Sequence, residues 1–346
     1  MSPDETSGNR GTASPAASGD ERLHGEAAII AFLVPLTAGD AGAAGLADDC
    51  AVLTPEPGTE LALTTDSLIE GVHFFPGEVP SFKALAVNVS DLLASGATPY
   101  RYLLNLALPE PPTTSFMRQF TAGLAAAQAE FGCCLVGGDT DRTPGPFTIT
   151  ITAIGKLPAG KAVRRSTARA GDLVVVTGTI GDAGLGLLLR RELSRSLATR
   201  LTEEHRSFLV ARHQRPCPNV ATAELVRCYA SAAMDISDGL AKDLRRLARA
   251  SGVGADVDMS RVPLSAAAAS FCADAGVSRQ RLITAGEDYE LAMAVPPERW
   301  LALQSSAGGL GIAVTAIGTI TQGSEVVWRD AEGRRLPLDS EGWDHF

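Results

Sequence analysis

An α/β protein of two domains is what this sequence predicts, on three observations. Helix-like and strand-like patterns alternate along most of the chain, the mark of helices packed on sheets. The segment 155–171, with Pro158, Gly160 and several arginines, interrupts that alternation and reads as a connection. The length of 346 residues suffices for two domains of ordinary size. The expected division is a disordered tail at 1–24, a first domain at 25–157 and a second at 158–346.

Residues 1 to 23 are rich in Ser, Gly, Ala and Pro without apolar periodicity, so burial cannot offset the entropy of ordering them. Order is expected from Gly25, after which Ala27 to Leu33 offer an apolar helix face. Residues 61–65 read as a strand, and 81–94 as a helix. On that helix Phe82, Leu85, Ala86, Val89, Leu92 and Leu93 share one side at i, i+3, i+4 spacing. An apolar strand at 102–108, a helix at 115–131, a strand at 133–136 and a β-branched, period-2 strand at 148–154 complete the first half. The second half opens with a buried strand at 172–178, a Gly-rich turn and a helix at 183–191. Helices follow at 203–213, 221–229, 239–250 and 264–273, with strands at 255–257, 290–295 and 313–320. A hairpin turning near Gly323 leads into Val326, Val327 and Trp328.

A hydrophobic share of 45% and a charged share of 20% are those of a folded globular chain. A net charge of −10 argues against nucleic acid or an anionic membrane as main partner, since both select basic surface. The six cysteines form no CxxC pair and no His-Cys metal spacing, which reads as free thiols in a reducing cytoplasm. No stretch approaches the roughly 18 apolar residues of a membrane span, and the N-terminus carries no basic-then-apolar signal.

One motif misleads. The run from Gly155 to Ala162 nearly matches the phosphate loop G-x-x-x-x-G-K-[ST], but Ala162 has no hydroxyl and no apolar helix follows. It reads as an interdomain loop. The run Gly178 to Gly184 is likewise a tight strand-to-helix turn rather than a dinucleotide fingerprint.

The chemistry lies in a series of aspartates where apolar segments meet small or hydroxyl residues. They are Asp48-Asp49, Thr64-Thr65-Asp66, Ser90-Asp91, Gly137-Gly138-Asp139 and Asp235-Ile236-Ser237-Asp238. A single Asp at a strand end is more often a cap or turn former than a ligand, and Asp238 could simply start the following helix. Asp91 lies inside a helix, where no cap is needed. Carboxylates gathered at buried element ends repel one another and lose hydration, so they need a compensating charge. With only five histidines, the fitting compensation is a hard, oxygen-seeking cation such as Mg²⁺, whose usual task is to hold phosphates. Pattern alone stops at a Mg²⁺-dependent enzyme acting on phosphates.

Ordered motifs carry the reading further. These are Asp48-Asp49-Cys50-Ala51, the run from Thr64 to Phe74, Ala86 to Leu92, Gly137 to Thr140, Val176 to Asp182, Met234 to Leu240, Gly286 to Leu291 and the closing Gly342-Trp343-Asp344-His345-Phe346. In that order they closely resemble the thiamine-monophosphate kinases of the aminoimidazole-ribonucleotide synthetase superfamily, from about Gly25 to the last residue. The resemblance implies that superfamily's two-domain fold, with a ferredoxin-like N-terminal domain, an α/β C-terminal domain, a homodimer joined through the N-terminal domains and ATP in the cleft between domains. It implies transfer of the ATP γ-phosphate to thiamine monophosphate. By matching position, Asp49, Thr64, Thr65, Asp66, Asp91, Asp139, Asp235 and Asp238 are implied Mg²⁺ ligands. Gly138, Asp139, Arg165 and Ser237 are implied ATP contacts, and His73, Glu287 and Trp343 implied contacts to the thiamine phosphate. No catalytic base is expected, because the acceptor is a phosphate oxygen already ionised near neutral pH. Arg164 stands beside Arg165 as an alternative nucleotide contact.

This chain departs from the family's pattern at Ala47, where Gly is usual. If that backbone needs positive φ, Ala costs on the order of 1 kcal/mol and shifts the Asp pair. Sister enzymes of the superfamily, such as selenophosphate synthetases and hydrogenase-maturation dehydratases, are the nearest rivals. They are expected to carry a reactive N-terminal Cys or a C-terminal cysteine tail, which these residues do not supply.

Overall fold

The computed structural model describes residues 20–191, 201–338 and 342–343. Residues 1–19 of the expected tail and the closing Asp344-His345-Phe346 lie outside the described residues. Placed contacts begin before Gly25, the expected start of order. Arg22 bridges Thr113, and Leu23 N–H donates to Pro112 O at 2.8 Å.

The first half runs α1 (Glu26–Leu33), β1 (Thr59–Ile69), α2 (Ser81–Ala94), β2 (Thr98–Leu108), α3 (Thr114–Phe131), β3 (Cys134–Arg142) and β4 (Thr148–Pro158). Its four strands form one sheet in the order β1-β4-β2-β3, antiparallel except for the parallel pair β2/β3. One face is apolar: Leu104, Leu106, Ile149, Ile151 and Ala153 pack under Leu85, Val89, Leu92, Phe120 and Leu124 of α2 and α3. The opposite face is open, with Leu63, Thr65, Ser67 and Asn105 exposed or half-exposed.

The second half runs β5 (Leu173–Thr177), α4 (Asp182–Arg190), α5 (Glu203–Gln214), α6 (Thr222–Tyr229), β6 (Ala232–Asp235), α7 (Leu240–Ser251) and β7 (Gly254–Asp258). It continues with α8 (Ala266–Ala275), α9 (Arg279–Ile283), β8 (Leu291–Val295), α10 (Trp300–Gly309), β9 (Val314–Thr321), β10 (Val326–Arg329) and β11 (Arg335–Leu336). These strands form a second sheet in the order β11-β10-β7-β9-β5-β8-β6. Helices cover both faces, and the period-2 alternation of β5 shows it. Val174 and Val176 pack with Leu240, Leu244 and Leu247 of α7, while Val175 joins Leu225, Val226 and Leu303 on the other side.

Strand lengths differ from expectation where one face is wet. β1 extends over 59–69 rather than 61–65, because every residue from Thr59 to Ile69 pairs with β4. β3 continues through Gly137, Gly138 and Asp139 to Arg142, so these residues lie within a strand instead of following one. β4 reaches Pro158, which puts Gly155 inside a strand rather than in a connection, and no helix occurs in 159–172. The near-match to a phosphate loop is therefore a strand end and an irregular segment.

Helix α2 joins the halves. It packs on β1 and β4 below and on β6 and α6 above, and every residue in it except Asp91 is buried.

Candidate active site

The site is built around α2, because its polar residues are spaced to reach both sheets. Asn88 Oδ1 accepts from Asp66 N–H at 3.0 Å, while its amide donates to Ala84 O at 2.9 Å. Thr64 Oγ1 donates to Asp91 Oδ2 at 2.6 Å. Ser90 Oγ donates to Asp235 Oδ2 at 3.0 Å, linking α2 to the end of β6. β1 presents Thr64 and Asp66 on the α2 side by its two-residue alternation, and the chain turning out of β6 adds Asp238.

These carboxylates act on one another. Burial, then Asp91 and Asp238, push Asp66 up to about 6. Burial raises Asp91, against the Thr64 hydrogen bond and the Arg165 charge. Burial, then Asp91 and Asp243, raise Asp235. Burial and like charges together outweigh the cations nearby in these shifts, and a hard divalent cation among the carboxylates would remove the repulsion. Among the described residues no three Asp, Glu, His or Cys side chains converge into a ready-made metal cage.

A cavity of about 440 Å³ lies on one side of this acidic wall. Asp66, Ser237, Asp238, His73, Glu287 and Trp343 all line it, and Leu68, Val72, Leu185 and Leu282 make its apolar surface. A second cavity, about 380 Å³, lies on the other side and is lined by Thr64, Asp91, Asp235, Arg164 and Arg165. The charge that acts on Asp91 is that of Arg165. The carboxylates thus separate a pocket with an apolar and aromatic lining from a pocket with two arginines.

The remaining expected residues are elsewhere. Asp49, Gly138 and Asp139 line a third cavity of about 440 Å³. In the first sheet Asp66 is level with Ile151, Leu104 and Gly138 in turn, three strand spacings or about 14 Å across. Asp139 is opposite Asn105 and faces the open side, as does Thr65, whose hydroxyl donates to Ile151 O at 3.2 Å. One chain therefore gathers Thr64, Asp66, Asp91, Asp235 and Asp238, but not Asp49, Thr65 or Asp139. Gly138 (φ 156°) answers a close approach, since a Cβ there would meet Leu104 O at 1.8 Å. Ala47 has φ −104°, so its side chain costs no backbone strain and the expected distortion of the Asp pair is absent.

Asp238 does not cap α7. The N-cap is Gly239, with no side-chain cap bond, and Asp243 from within the helix fastens the turn before it: its Oδ2 accepts from Ser237 N–H at 3.1 Å and Asp238 N–H at 2.9 Å. The Asp238 carboxylate instead meets Arg246 at 2.6 Å and Lys242 at 3.4 Å.

The loop 284–290 forms the far wall. Glu287 N–H donates to Ser237 O at 2.7 Å and Tyr289 N–H to Ile236 O at 2.9 Å. Both residues have positive φ, 72° and 51°, a strained choice for side chains other than Gly. Asp288 is buried and accepts from Gly181 N–H at 2.8 Å, at the start of α4. Burial raises its carboxyl well above the ordinary range. Glu287 behaves oppositely. Lys83 Nζ donates to Oε1 at 2.9 Å and His213 Nε2 lies 2.8 Å from Oε2. Against the upward push of burial, these partners hold Glu287 down at about 2. Trp343 is 47% exposed at the rim, its N–H donating to Asp238 O at 3.0 Å, so it is a pocket wall rather than a core residue.

Residues 47–157 match the model for the N-terminal domain of AIR synthase related proteins, and 169–330 the model for their C-terminal domain. The thiamine-monophosphate kinase of Salmonella typhimurium is 39% identical over 305 residues, 87% of this chain and 91% of that protein. The chain belongs to the thiamine-monophosphate kinase family. Among solved structures of that family, the Stenotrophomonas maltophilia enzyme superposes with a TM-score of 0.78 at 33% identity, over 92% of this chain and 100% of that one. AaThiL complexed with AMPPCP and TMP matches at a TM-score of 0.72 and 33% identity, over 93% of this chain and 97% of that one. Among the described residues no helix is long and apolar enough to cross a membrane.

For a member of the thiamine-monophosphate kinase family, the residues missed from sequence are Lys83, Asn88, Ser90, His213 and Asp243. The spacing of Lys83, Asn88, Ser90 and Asp91 in one largely apolar helix was the available signal for α2. His213 had none, because its partner Glu287 is 74 residues away.

Proposed function

We propose that the chain transfers the γ-phosphate of ATP to thiamine monophosphate, giving thiamine diphosphate and ADP, with Mg²⁺ and without a covalent enzyme intermediate. The observation that carries this reading is the wall of Asp66, Asp91, Asp235 and Asp238 with one cavity on each side. The pocket bearing Trp343, His73 and Glu287 takes the organic acceptor. Its apolar side chains suit a ring system, and the half-exposed indole offers a face to a cationic thiazolium. The pocket bearing Arg164 and Arg165 takes the nucleotide phosphates, for which a guanidinium fork supplies paired donors. Ser237 lines the acceptor pocket beside Asp238, and we assign it to the phosphate being transferred.

The acidic wall fits Mg²⁺, with Asp66, Asp91, Asp235 and Asp238 holding it and Thr64 orienting Asp91. The chemistry such a cation would supply there is neutralisation of the two polyanions, which would favour an in-line displacement. The protein's own contribution is to hold acceptor and donor on one line while the buried flanks of α2 exclude water. No side chain is asked to remove a proton, since the attacking phosphate oxygen is ionised at neutral pH. We further assign Asp49, Thr65, Gly138 and Asp139 to the metal and nucleotide set through a cytoplasmic homodimer. The open face of the first sheet, where Leu63 is 65% exposed, is the surface a second copy would cover.

The test is ³¹P NMR of the protein with ATP, thiamine monophosphate and Mg²⁺, repeated with excess EDTA. Thiamine diphosphate appearing in step with ADP, and only without the chelator, is the expected result. ADP and orthophosphate without thiamine diphosphate would reject the acceptor assignment.

A further inference from the structure

We propose that Lys83 is a positioning residue for the acceptor pocket: it ties the His73 turn of the first domain to the Glu287 loop of the second. This rests on the acceptor reading of that pocket. The Lys83 side chain is 2% exposed and reaches across the domain junction. Its Nζ donates to His73 O at 3.3 Å and to Glu287 Oε1 at 2.9 Å, joining positions 204 residues apart. A buried ammonium without a partner is strongly unfavourable, so the sequence keeps Lys83 here only with Glu287 opposite.

Lys83 is not itself a ligand group. His73 and Glu287 line the acceptor cavity, whereas Lys83 lines a smaller one of about 320 Å³ behind them. That rear cavity also holds His213 and Arg190, which extend the clamp. His213 Nε2 lies 2.8 Å from Glu287 Oε2, Arg190 is 2.8 Å from His213 Nδ1, and Arg190 pairs with Glu78. Glu287 Oε1 is thereby fixed from behind by Lys83, with His213 beside Oε2, and its positive φ is held by the bond to Ser237 O. The two loops whose separation sets the width of the acceptor pocket share one nitrogen atom. Asp91, eight residues along the same helix, lies about 12 Å further on at the metal wall. A change at residue 83 should therefore be felt by the acceptor and not by the nucleotide.

The experiment compares the full-length protein with Lys83→Met and Lys83→Arg, measuring KM for thiamine monophosphate, KM for ATP and kcat separately, with circular dichroism to check folding. The expected result for Lys83→Met is a rise of more than about tenfold in KM for thiamine monophosphate, with KM for ATP within about twofold. Lys83→Arg, which keeps the charge and donors, should recover most of that loss. Because Lys83 acts through Glu287, the double variant Lys83→Met/Glu287→Gln should be no worse than Glu287→Gln alone. Should Lys83→Met fail to fold, Lys83→Gln in the same assays should give a smaller rise confined to thiamine monophosphate. An unchanged KM for thiamine monophosphate, or equal rises for both substrates, overturns the positioning role while wild-type turnover stands. A wild-type protein that makes no thiamine diphosphate overturns the acceptor reading, and the positioning role with it.

Discussion

Two groups of acids meet in this molecule, and they are tuned in opposite directions. Asp66, Asp91 and Asp235 face one another at the domain junction, and burial with mutual repulsion raises all three. Glu287 is as deeply placed, yet Lys83 and His213 hold it at about 2. The first group is left without internal partners of opposite charge sufficient to balance it, and the second is balanced within the protein. The first group is what a bound cation would relieve, which marks it as the candidate metal wall, and the second holds a pocket residue already balanced by its own partners.

The largest test of that contrast is Asp66→Asn. Turnover should fall by more than about 10²-fold, because one member of the metal wall is lost. The metal-free variant should nevertheless melt at or above the wild-type temperature, since a repelling charge has gone. A variant with full activity would remove Asp66 from the wall, and a lower melting temperature would contradict the repulsion. Glu287→Gln should behave in the reverse sense, losing on the order of 3 kcal/mol in urea unfolding at neutral pH, because Lys83 is left buried without its counter-charge. The sign follows from a carboxyl lowered in the folded state. Its stabilisation is complete above the unfolded value of 4.5 and disappears as pH falls through about 2. The stability difference between wild type and Glu287→Gln should thus be flat above pH 5 and shrink below 4.5, and a gap that grows on acidification would reverse the assignment. The smallest effect belongs to the rim. Trp343 is half exposed, where a cation–π contact is worth about 0.5–1 kcal/mol, so Trp343→Leu should raise KM for thiamine monophosphate about two- to fivefold with kcat little changed.

The sequence was most legible where burial is two-sided. The helix at 81–94 has the bounds its apolar spacing predicts, and the β5 and β8 segments differ from expectation by at most one residue at either end. Legibility fell where a strand has one open face. β1 and β3 carry Thr, Ser, Gly and Asp on the wet side, so the hydrophobic signal stops while backbone pairing continues. Within the site, Thr64, Asp66, Asp91, Asp235 and Asp238 come together as their motifs imply. The motif Thr64-Thr65-Asp66 hides a division, because alternate strand residues point to opposite faces and Thr65 leaves the cluster. Ala47 shows the limit of comparing residue types alone: its backbone is right-handed, so the missing Gly costs nothing. Lys83 and His213 escaped notice because a charge partner 204 or 74 residues distant leaves no local pattern.

Helix α2 is buried on all sides except at Asp91, with the first sheet beneath it and β6 and α6 above. A chain leaving the ribosome completes β1 to β4 long before the residues that cover the upper side of this helix exist. Until then Ala94, which packs in the second domain's core, faces water, along with a lysine whose counter-charge is 204 residues away. The first domain is thus complete in topology but not in solvation when it emerges, and its folding must be finished by the second. Cutting the chain in the irregular segment at 159–172 should yield a fragment that associates with itself, because the helix that carries the active site doubles as the seam of the whole molecule.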